Sequence, residues 1–521
     1  MKKISLKEIW TYYLTVFITG TAVLIVEIAA IRQLTPIFGG SIYVISSVLS
    51  VILLALSVGY FFGGRLADNF PTHKILYYVI TVSGLSLLFL QLASTTLLSG
   101  LAFQSLIIGP LLVALLFFFI PAVLLGMDSP YVIKLITHNS SEKDSGKYVG
   151  TTFFWSTIGS IFGSLLAGFW LIPNIGVQAS ITYTAIALVT LGLLAPVWLS
   201  TESFTKYFSK SYIYIAITVA LTAILFQQIN SIDIYDENIL FEADGLYSRI
   251  LVEKTEFNNR PAISLWRDLN NSSAIFINSY DNVFDYSQFV DIYDELIDEP
   301  SNFLAIGGGA YSTPRRLVAV DPAINVDVVE IEPVLFELAQ TYFDLSDTSR
   351  IENFTVDARI FLDQTENKYD FIFSDAFNTS HTMPWQLGTM EFYQDIKSVL
   401  RPEGVLMINY IGVIDPSPDS MTSIFLNTLQ QSFPHVELYG SQTLNRKELQ
   451  NLIFIASESP LKTESISDFE INTRQHGTLA LEELRVETDI FSVPGRDVFT
   501  DNKAPIEYLM GKQVRKYLDT I

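Results

Sequence analysis

Four groups of residues suited to ligand binding follow successive apolar runs in the second half of the chain. They are Gly307–Gly309, Glu330 (23 residues after Gly307), Asp357 and Asp375. Glycines let a backbone approach a ligand without a Cβ clash, and an acidic residue about 20 residues later accepts hydrogen bonds from ribose hydroxyls. We expect these residues to line one hollow that binds a nucleoside.

The elements that position these residues alternate between strand-like and helical stretches after residue 300. This alternation predicts a mostly parallel sheet with helices on both faces, whose ligands bind at the carboxyl ends of the strands. The predicted strands are 302–306, 326–331, 369–374, 404–410 and 451–456. Before them, short β-like runs at 247–252, 262–266 and 274–277 predict a small antiparallel sheet.

Each of these features also has a structural explanation. A glycine triplet is often only a turn, and an aspartate after a strand often caps a helix. The ordered set of four favours a nucleoside-binding crevice. Ser312 stands where a dinucleotide-binding loop has its third glycine, which disfavours NAD or FAD and favours an adenosyl group such as that of S-adenosylmethionine.

Composition excludes several classes of function. The chain has 521 residues, 50% hydrophobic and only 17% charged, with a net charge of −22 and no cysteine. Absent cysteine excludes thiol catalysis, disulfides and Cys-ligated zinc, and no metal is expected. Because binding to phosphates needs a basic surface, we expect no nucleic-acid partner.

Charge and hydropathy divide the chain near residue 230. Residues 1–229 carry 11 Lys and Arg against 7 Asp and Glu, whereas the remainder carries 21 against 47. Since about 20 apolar residues cross a bilayer, we predict a bundle of about seven membrane helices, with small residues such as Gly159 and Gly163 allowing close packing. The predicted spans are 10–31, 41–63, 75–95, 103–127, 149–172, 177–199 and 211–229.

The basic residues of the short loops predict the orientation of this bundle. Lys and Arg cluster before the first span and after the second, fourth and sixth. The N-terminus is therefore expected in the cytoplasm of a multi-pass protein of the cell membrane, in contact with lipids. Seven crossings would place the acidic second half outside the cytoplasm. The side of the membrane on which it lies therefore depends on the number of crossings.

Several motifs in this order resemble the membrane-fused spermidine synthase-like (polyamine aminopropyltransferase) family. The matching segments are Ile-Gly-Gly-Gly, Val-Val-Glu-Ile-Glu-Pro, Val-Asp-Ala-Arg, Phe-Ser-Asp-Ala-Phe and Met-Pro-Trp-Gln-Leu-Gly. In the membrane half, Gly-Gly-Arg-Leu-Ala-Asp and Ser-Thr-Ile-Gly-Ser-Ile-Phe-Gly are similar too. The resemblance implies a membrane bundle at 1–230, a small β-sheet subdomain at 231–298 and a Rossmann-like transferase domain at 299–521.

The resemblance also implies roles for individual residues. Asp375 would be the catalytic base. The remaining positions divide into those that bind the donor, Gly307, Gly308, Gly309, Glu330, Asp357 and Ala358, and those that bind the acceptor, Tyr247, Tyr286, Asn378 and Pro384. The donor would be decarboxylated S-adenosylmethionine or S-adenosylmethionine, and the acceptor a polyamine or other small amine. Related enzymes are often dimers, so a homodimer is a further expectation.

The chain departs from the family pattern at four positions. Ala310 and Asn378 stand where the family has aspartates, and Ser248 and Ser287 replace its Gln and His. Three functions therefore stay open. The first is aminopropyl transfer, the second is methyl transfer from S-adenosylmethionine to a membrane-delivered substrate, and the third is a non-catalytic module that binds or helps to transport a polyamine or nucleoside.

Overall fold

The structure is a computed structural model and describes residues 4–101, 108–138, 145–200, 204–230, 237–377, 383–445, 448–473, 476–491 and 497–518. It divides into two compact units, Met1–Tyr235 and Asp236–Ile521. The first unit is helical and the second contains all the described strands.

The first unit is built from eight helices in its described part. They are α1 (Leu6–Phe38), α2 (Ile42–Asn69), α3 (His73–Leu101), α4 (Gly109–Gly126), α5 (Asp128–Thr137), α6 (Ser145–Leu166), α7 (Ile172–Leu199) and α8 (Phe204–Asn230). Ser5 caps α1 by accepting the N–H of Glu8. A short π-helical turn joins α6 to α7, and α7 breaks at Gly176, whose φ of 81° is not helical.

Five segments of the described residues are long and apolar enough to cross a membrane. They are Leu6–Phe38, Ile42–Asn69, His73–Ala93, Gly109–Thr137 and Ser145–Leu199, and Ala216–Gln228 is a shorter apolar helix. Glycines allow α1 and α6 to approach closely, as the sequence predicts: a Cβ on Gly159 would lie 2.1 Å from the Phe17 carbonyl oxygen, and one on Gly163 would lie 2.2 Å from that of Thr21.

The second unit begins with a four-stranded antiparallel sheet in the order β1-β2-β3-β4. Its strands are β1 (Ile239–Asp244), β2 (Arg249–Phe257), β3 (Arg260–Arg267) and β4 (Asn270–Phe276). A 3-10 segment, Asp285–Ile292, and the short helix α9 (Tyr293–Leu296) lead into the larger sheet. Ile250, Val252 and Leu265 of the small sheet share one buried apolar cluster with Phe303 and Val328 of the larger one.

The larger sheet has eight strands in the order β14-β10-β11-β9-β8-β5-β6-β7. The strands are β5 (Asn302–Ile306), β6 (Asn325–Val329), β7 (Ile351–Phe354), β8 (Tyr369–Ser374), β9 (Leu400–Gly412), β10 (His435–Gly440), β11 (Gln450–Ser457) and β14 (Arg485–Val486). Strands β5 to β9 pair in parallel, whereas β9, β10, β11 and β14 pair antiparallel. The sheet is therefore mixed, with its parallel half where the predicted strand-end residues lie.

The remaining helices and strands flank this sheet. The helices are α10 (Ser312–Val320), α11 (Leu335–Tyr342), α12 (Ala358–Gln364), α13 (Met390–Val399), α14 (Met421–Ser432), α15 (Thr463–Ile466) and α16 (Ile506–Leu518), and a separate hairpin contains β12 (Glu470–Thr473) and β13 (Gly477–Ala480). Strand β8 is buried along its whole length. Two apolar clusters cover its two faces, one containing Phe371 and Phe373 and the other Ile372.

Candidate active site

A cavity of about 370 Å³ lies within the second unit, at the carboxyl ends of β5, β6 and β8. It brings together Gly307–Gly309, Glu330 and Asp375, which the sequence predicted to share a hollow, and Tyr286 also lines it. Parallel strands place their carboxyl ends at one edge of a sheet, and that edge is where open α/β sheets bind ligands.

Asp375 is held by two side chains that the chain supplies from distant positions. Asn409, on β9, donates its Nδ2 hydrogen to Asp375 Oδ1 at 2.8 Å, and the Tyr286 hydroxyl donates to Oδ2 at 3.1 Å. Asn451 on β11 in turn donates to Asn409 Oδ1 at 2.8 Å. This chain of hydrogen bonds fixes the carboxylate at the cavity wall.

The environment of Asp375 changes its acidity. Burial raises the pKa of Asp375, because a charged carboxylate is disfavoured away from water. The hydrogen bonds from Asn409 and Tyr286 act in the opposite direction, as does the positive charge of Arg267, and they lower that pKa. Asp375 is therefore a carboxylate whose proton affinity exceeds that of an ordinary aspartate, as a proton acceptor requires.

The glycine loop is held by contacts with Glu330, which follows β6, and with the backbone of Asp375, which follows β8. Glu330 is 3% exposed. Its Oε2 accepts the N–H groups of Gly308 at 2.8 Å and Gly309 at 3.2 Å, and its Oε1 accepts that of Glu332 at 2.9 Å. A Cβ on Gly307, whose φ is +97°, would lie 2.5 Å from the Asp375 carbonyl oxygen. The loop thus needs glycine at 307 and links Glu330 to Asp375 through backbone.

The cavity lining contains oxygen atoms whose capacity to accept hydrogen bonds is not fully used. Asn271 Oδ1 is a buried acceptor without a hydrogen-bond partner among the described residues, and Asn271 lines the cavity. Glu330 Oε1 accepts one N–H and keeps a further lone pair, whereas Oε2 accepts two N–H groups. Among the described residues, no group of three or more His, Cys, Asp or Glu is placed to hold a metal ion.

Other predicted site residues lie outside the lining of this cavity. Asp357 caps α12, accepting the N–H of Arg359 at 2.8 Å, and Ala358 is the first residue of that helix. Pro384 precedes the 3-10 turn Trp385–Leu387. The Tyr247 side chain is 48% exposed and its N–H donates to Glu332 at 2.9 Å. Asn378 lies outside the described residues.

Sequence reasoning missed three groups that shape the site. Arg267 lines the cavity from the end of β3. Glu332, 2% exposed, accepts the N–H groups of Leu246 and Tyr247 and so anchors the turn between β1 and β2. Asn409 is 2% exposed, and an amide within the apolar run Leu-Met-Ile-Asn-Tyr-Ile was a signal that could have identified it.

Two positions that depart from the family pattern can now be placed. Ala310 is 1% exposed and belongs to a buried apolar cluster together with Tyr311, so its methyl group packs into the core. Ser248, 3% exposed, accepts a hydrogen bond from Arg267 Nε at 3.3 Å.

Comparisons with known families match two successive stretches of the chain. Residues 10–279 match the Major Facilitator Superfamily, and residues 287–464 match the spermine/spermidine synthase domain. The chain belongs to the Major Facilitator Superfamily, and a spermidine synthase-like domain follows the part that matches this superfamily. The prediction of a membrane-fused spermidine synthase-like protein is confirmed, and the chain is a membrane protein with an α/β second unit.

Individual relatives of this membrane-fused spermidine synthase-like protein cover different shares of it. A polyamine aminopropyltransferase from Vibrio vulnificus is 37% identical over 114 residues, or 21% of this chain and 38% of that protein. Polyamine aminopropyltransferase 1 from Streptomyces coelicolor is 23% identical over 412 residues, or 76% of this chain and 74% of that protein. The crystal structure of a probable spermidine synthase from Corynebacterium glutamicum covers 50% of this chain and 96% of its own, at 19% identity and a TM-score of 0.42.

Proposed function

We propose that the second unit is an aminopropyltransferase that moves an aminopropyl group from decarboxylated S-adenosylmethionine to a small amine. The observation that carries this proposal is the shared cavity of Gly307–Gly309, Glu330 and Asp375. The names of the relatives support it. Glu330 and the glycine loop would hold the adenosyl part, leaving Asp375 at the reacting end.

This reaction needs two contributions from the protein: correct placement of the two reactants and a proton acceptor. The nitrogen of the amine attacks the carbon next to the sulfonium, the carbon–sulfur bond breaks, and its electron pair stays on sulfur to give methylthioadenosine. An amine that is protonated at neutral pH must lose a proton to become a nucleophile, and Asp375 would accept that proton. In-line placement of the two reactants supplies most of the remaining acceleration.

Release of methylthioadenosine by the purified full-length protein tests this function. We expect Asp375→Asn to lower kcat by about 100- to 10,000-fold, the usual contribution of a general base. Asp347→Asn is the matched control, because the Asp347 carboxylate bonds to Ser349 and does not line the cavity. S-adenosylhomocysteine as product would indicate methyl transfer instead, and binding of amine or nucleoside without turnover would indicate a non-catalytic module.

The proposal includes a finer architecture. The segment Ser145–Leu199, 55 residues long, would cross the membrane twice with its turn at the helix break of Gly176, and α8 would supply a seventh crossing. Lys134 on α5 forms an ion pair with Asp68 near the end of α2, and both residues follow spans whose ends are predicted on the cytoplasmic side. We further propose subdomains at 231–298 and 299–521 and a homodimer.

A reporter fused after Ile521 tests the number of crossings. Seven crossings from a cytoplasmic N-terminus place the second unit outside the cytoplasm, where a donor made in the cytoplasm must be delivered to it. A reporter that is active only in the cytoplasm would contradict the seventh crossing and would place the enzyme beside its donor.

A further inference from the structure

Arg267 is a cation in the lining of the cavity, and the proposed reaction does not use it. It ends β3 and lines the same cavity as Asp375. Its positive charge is close enough to Asp375 to act on that carboxylate. A polyamine acceptor is itself a polycation, and a guanidinium in the cavity lining repels a cation that approaches it.

The hydrogen bonds of Arg267 leave most of its donors available. A guanidinium has five N–H groups in a fixed fork. Nε donates to Ser248 Oγ at 3.3 Å, and the two Nη groups make no hydrogen bond or ion pair with the described residues. The paired N–H groups of an arginine fork match the two oxygens of a carboxylate.

Arg315 is a second arginine of the same cavity, and all three nitrogens of its guanidinium donate hydrogen bonds within the protein. It is 4% exposed, and its guanidinium is engaged with Asp344 through Nη2 at 2.8 Å and through Nε to the Asp344 carbonyl at 3.1 Å. Its Nη1 donates to the Ser279 carbonyl at 3.0 Å. In the part of the chain that the structure describes, Arg267 has one side-chain hydrogen bond, to Ser248, although it lines the same cavity.

We propose that Arg267 binds a carboxylate of the substrate beside Asp375, so that one of the two reactants is an amino acid-like zwitterion. The ammonium or amine of that reactant would lie next to Asp375 and its carboxylate next to Arg267, a pair of opposite charges that matches the zwitterion. The proposal rests on the proposed function and adds the chemical class of a reactant to it. Bond making and breaking stay the same: nitrogen replaces sulfur on the transferred carbon, and methylthioadenosine leaves.

Matched substrates identify which reactant carries the carboxylate. Ornithine is putrescine with one added carboxylate, and S-adenosylmethionine is the decarboxylated donor with one added carboxylate. The four combinations of these donors and acceptors are assayed by release of methylthioadenosine from the full-length protein. They give two preference ratios: the acceptor arm compares ornithine with putrescine, and the donor arm compares S-adenosylmethionine with the decarboxylated donor. We expect the wild type to prefer the carboxylated member in one arm.

Variants of Arg267 then test its role. We expect Arg267→Leu to reduce that preference by about 10- to 100-fold, the usual size of a charged hydrogen-bonded contact, because KM should rise more for the carboxylated partner than for the uncarboxylated one. Arg267→Lys keeps the charge without the fork and should restore part of the preference. Arg249→Leu is the control, since Arg249 pairs with Glu242 and does not line the cavity.

The outcomes separate this inference from the proposed function. A loss of preference in the acceptor arm assigns the carboxylate to the amine, and a loss in the donor arm assigns it to the sulfonium compound. Methylthioadenosine release with unchanged ratios in both arms overturns the role of Arg267 alone. Absence of release from all four combinations overturns the proposed function and this inference with it. Binding of methylthioadenosine to each variant shows that the fold is retained.

Discussion

Replacing Gly307 with alanine should displace Asp375 and so lower activity, although the Asp375 side chain itself is unchanged. The new Cβ would lie 2.5 Å from the Asp375 carbonyl oxygen, whereas ordinary contact begins at 3.4 Å, so the strand end must move by about 0.9 Å. A displacement of about 1 Å at a reacting group costs on the order of 100-fold in rate. We therefore expect kcat/KM for methylthioadenosine release to fall by about 100-fold.

The same substitution also strains the backbone, and a second glycine separates the two effects. A residue other than glycine at the φ of +97° costs about 1–3 kcal/mol. Gly477, in the β12–β13 hairpin, has a φ of +75° and open space where its Cβ would be. Gly477→Ala should therefore lower thermal stability by a similar amount while leaving kcat/KM close to the wild-type value.

The assay is the comparison of both alanine variants for the midpoint of thermal unfolding and for kcat/KM. Equal loss of activity in the two variants would refute the reasoning, because it would mean that general destabilisation accounts for the effect. Wild-type activity in Gly307→Ala would refute it as well, since Asp375 would then tolerate the displacement.

Four further predictions concern the same cavity. Asp375 acts as a carboxylate, so kcat/KM falls as the pH drops through its pKa, and burial sets this fall above the ordinary aspartate range. Tyr286→Phe removes a hydrogen bond that lowers this pKa, so the acid limb of the pH profile should move to higher pH; an unmoved limb would contradict the role of that bond. Glu330→Gln should weaken binding of methylthioadenosine about 10-fold or more, measured by calorimetry, because an amide cannot accept all three backbone N–H groups; an unchanged Kd would argue against Glu330 as a binding residue. Dialysis against EDTA should leave kcat unchanged, because proton transfer to Asp375 and displacement at the carbon next to the sulfonium need no metal ion; activity restored by a divalent ion would contradict this.

Features encoded within a few residues could be predicted from the sequence. The strands before Gly307 and Asp375 lie at the predicted positions, 302–306 and 369–374. Their apolar runs are continuous because both faces of a central parallel strand are covered. The glycine loop and Glu330 also meet as expected, since neighbouring parallel strands end at the same edge of the sheet.

Features that depend on pairing between distant segments could not be predicted. Asn409 reaches Asp375 across 34 residues and Tyr286 reaches it across 89. Arg267 lines the cavity from the small sheet. The sequence pattern predicted strands of that sheet but not where the sheet lies relative to the strand ends. The antiparallel half of the large sheet was missed for a similar reason, because an apolar run such as 451–456 has the same periodicity in either direction of pairing.

The order of the strands explains why one of the four predicted groups lies apart from the others. Asp375, Gly307, Glu330 and Asp357 follow β8, β5, β6 and β7, which are neighbours in that spatial order. With about 4.8 Å between adjacent strands, Asp357 lies three spacings, or roughly 14 Å, from the strand of Asp375. An adenosyl donor laid along this edge, with its sulfonium at Asp375 and its ribose at Glu330, points its base toward α12. The roles of Asp357 and Ala358 beside the adenine therefore stay a prediction for the far end of the donor, although the cavity itself ends before them.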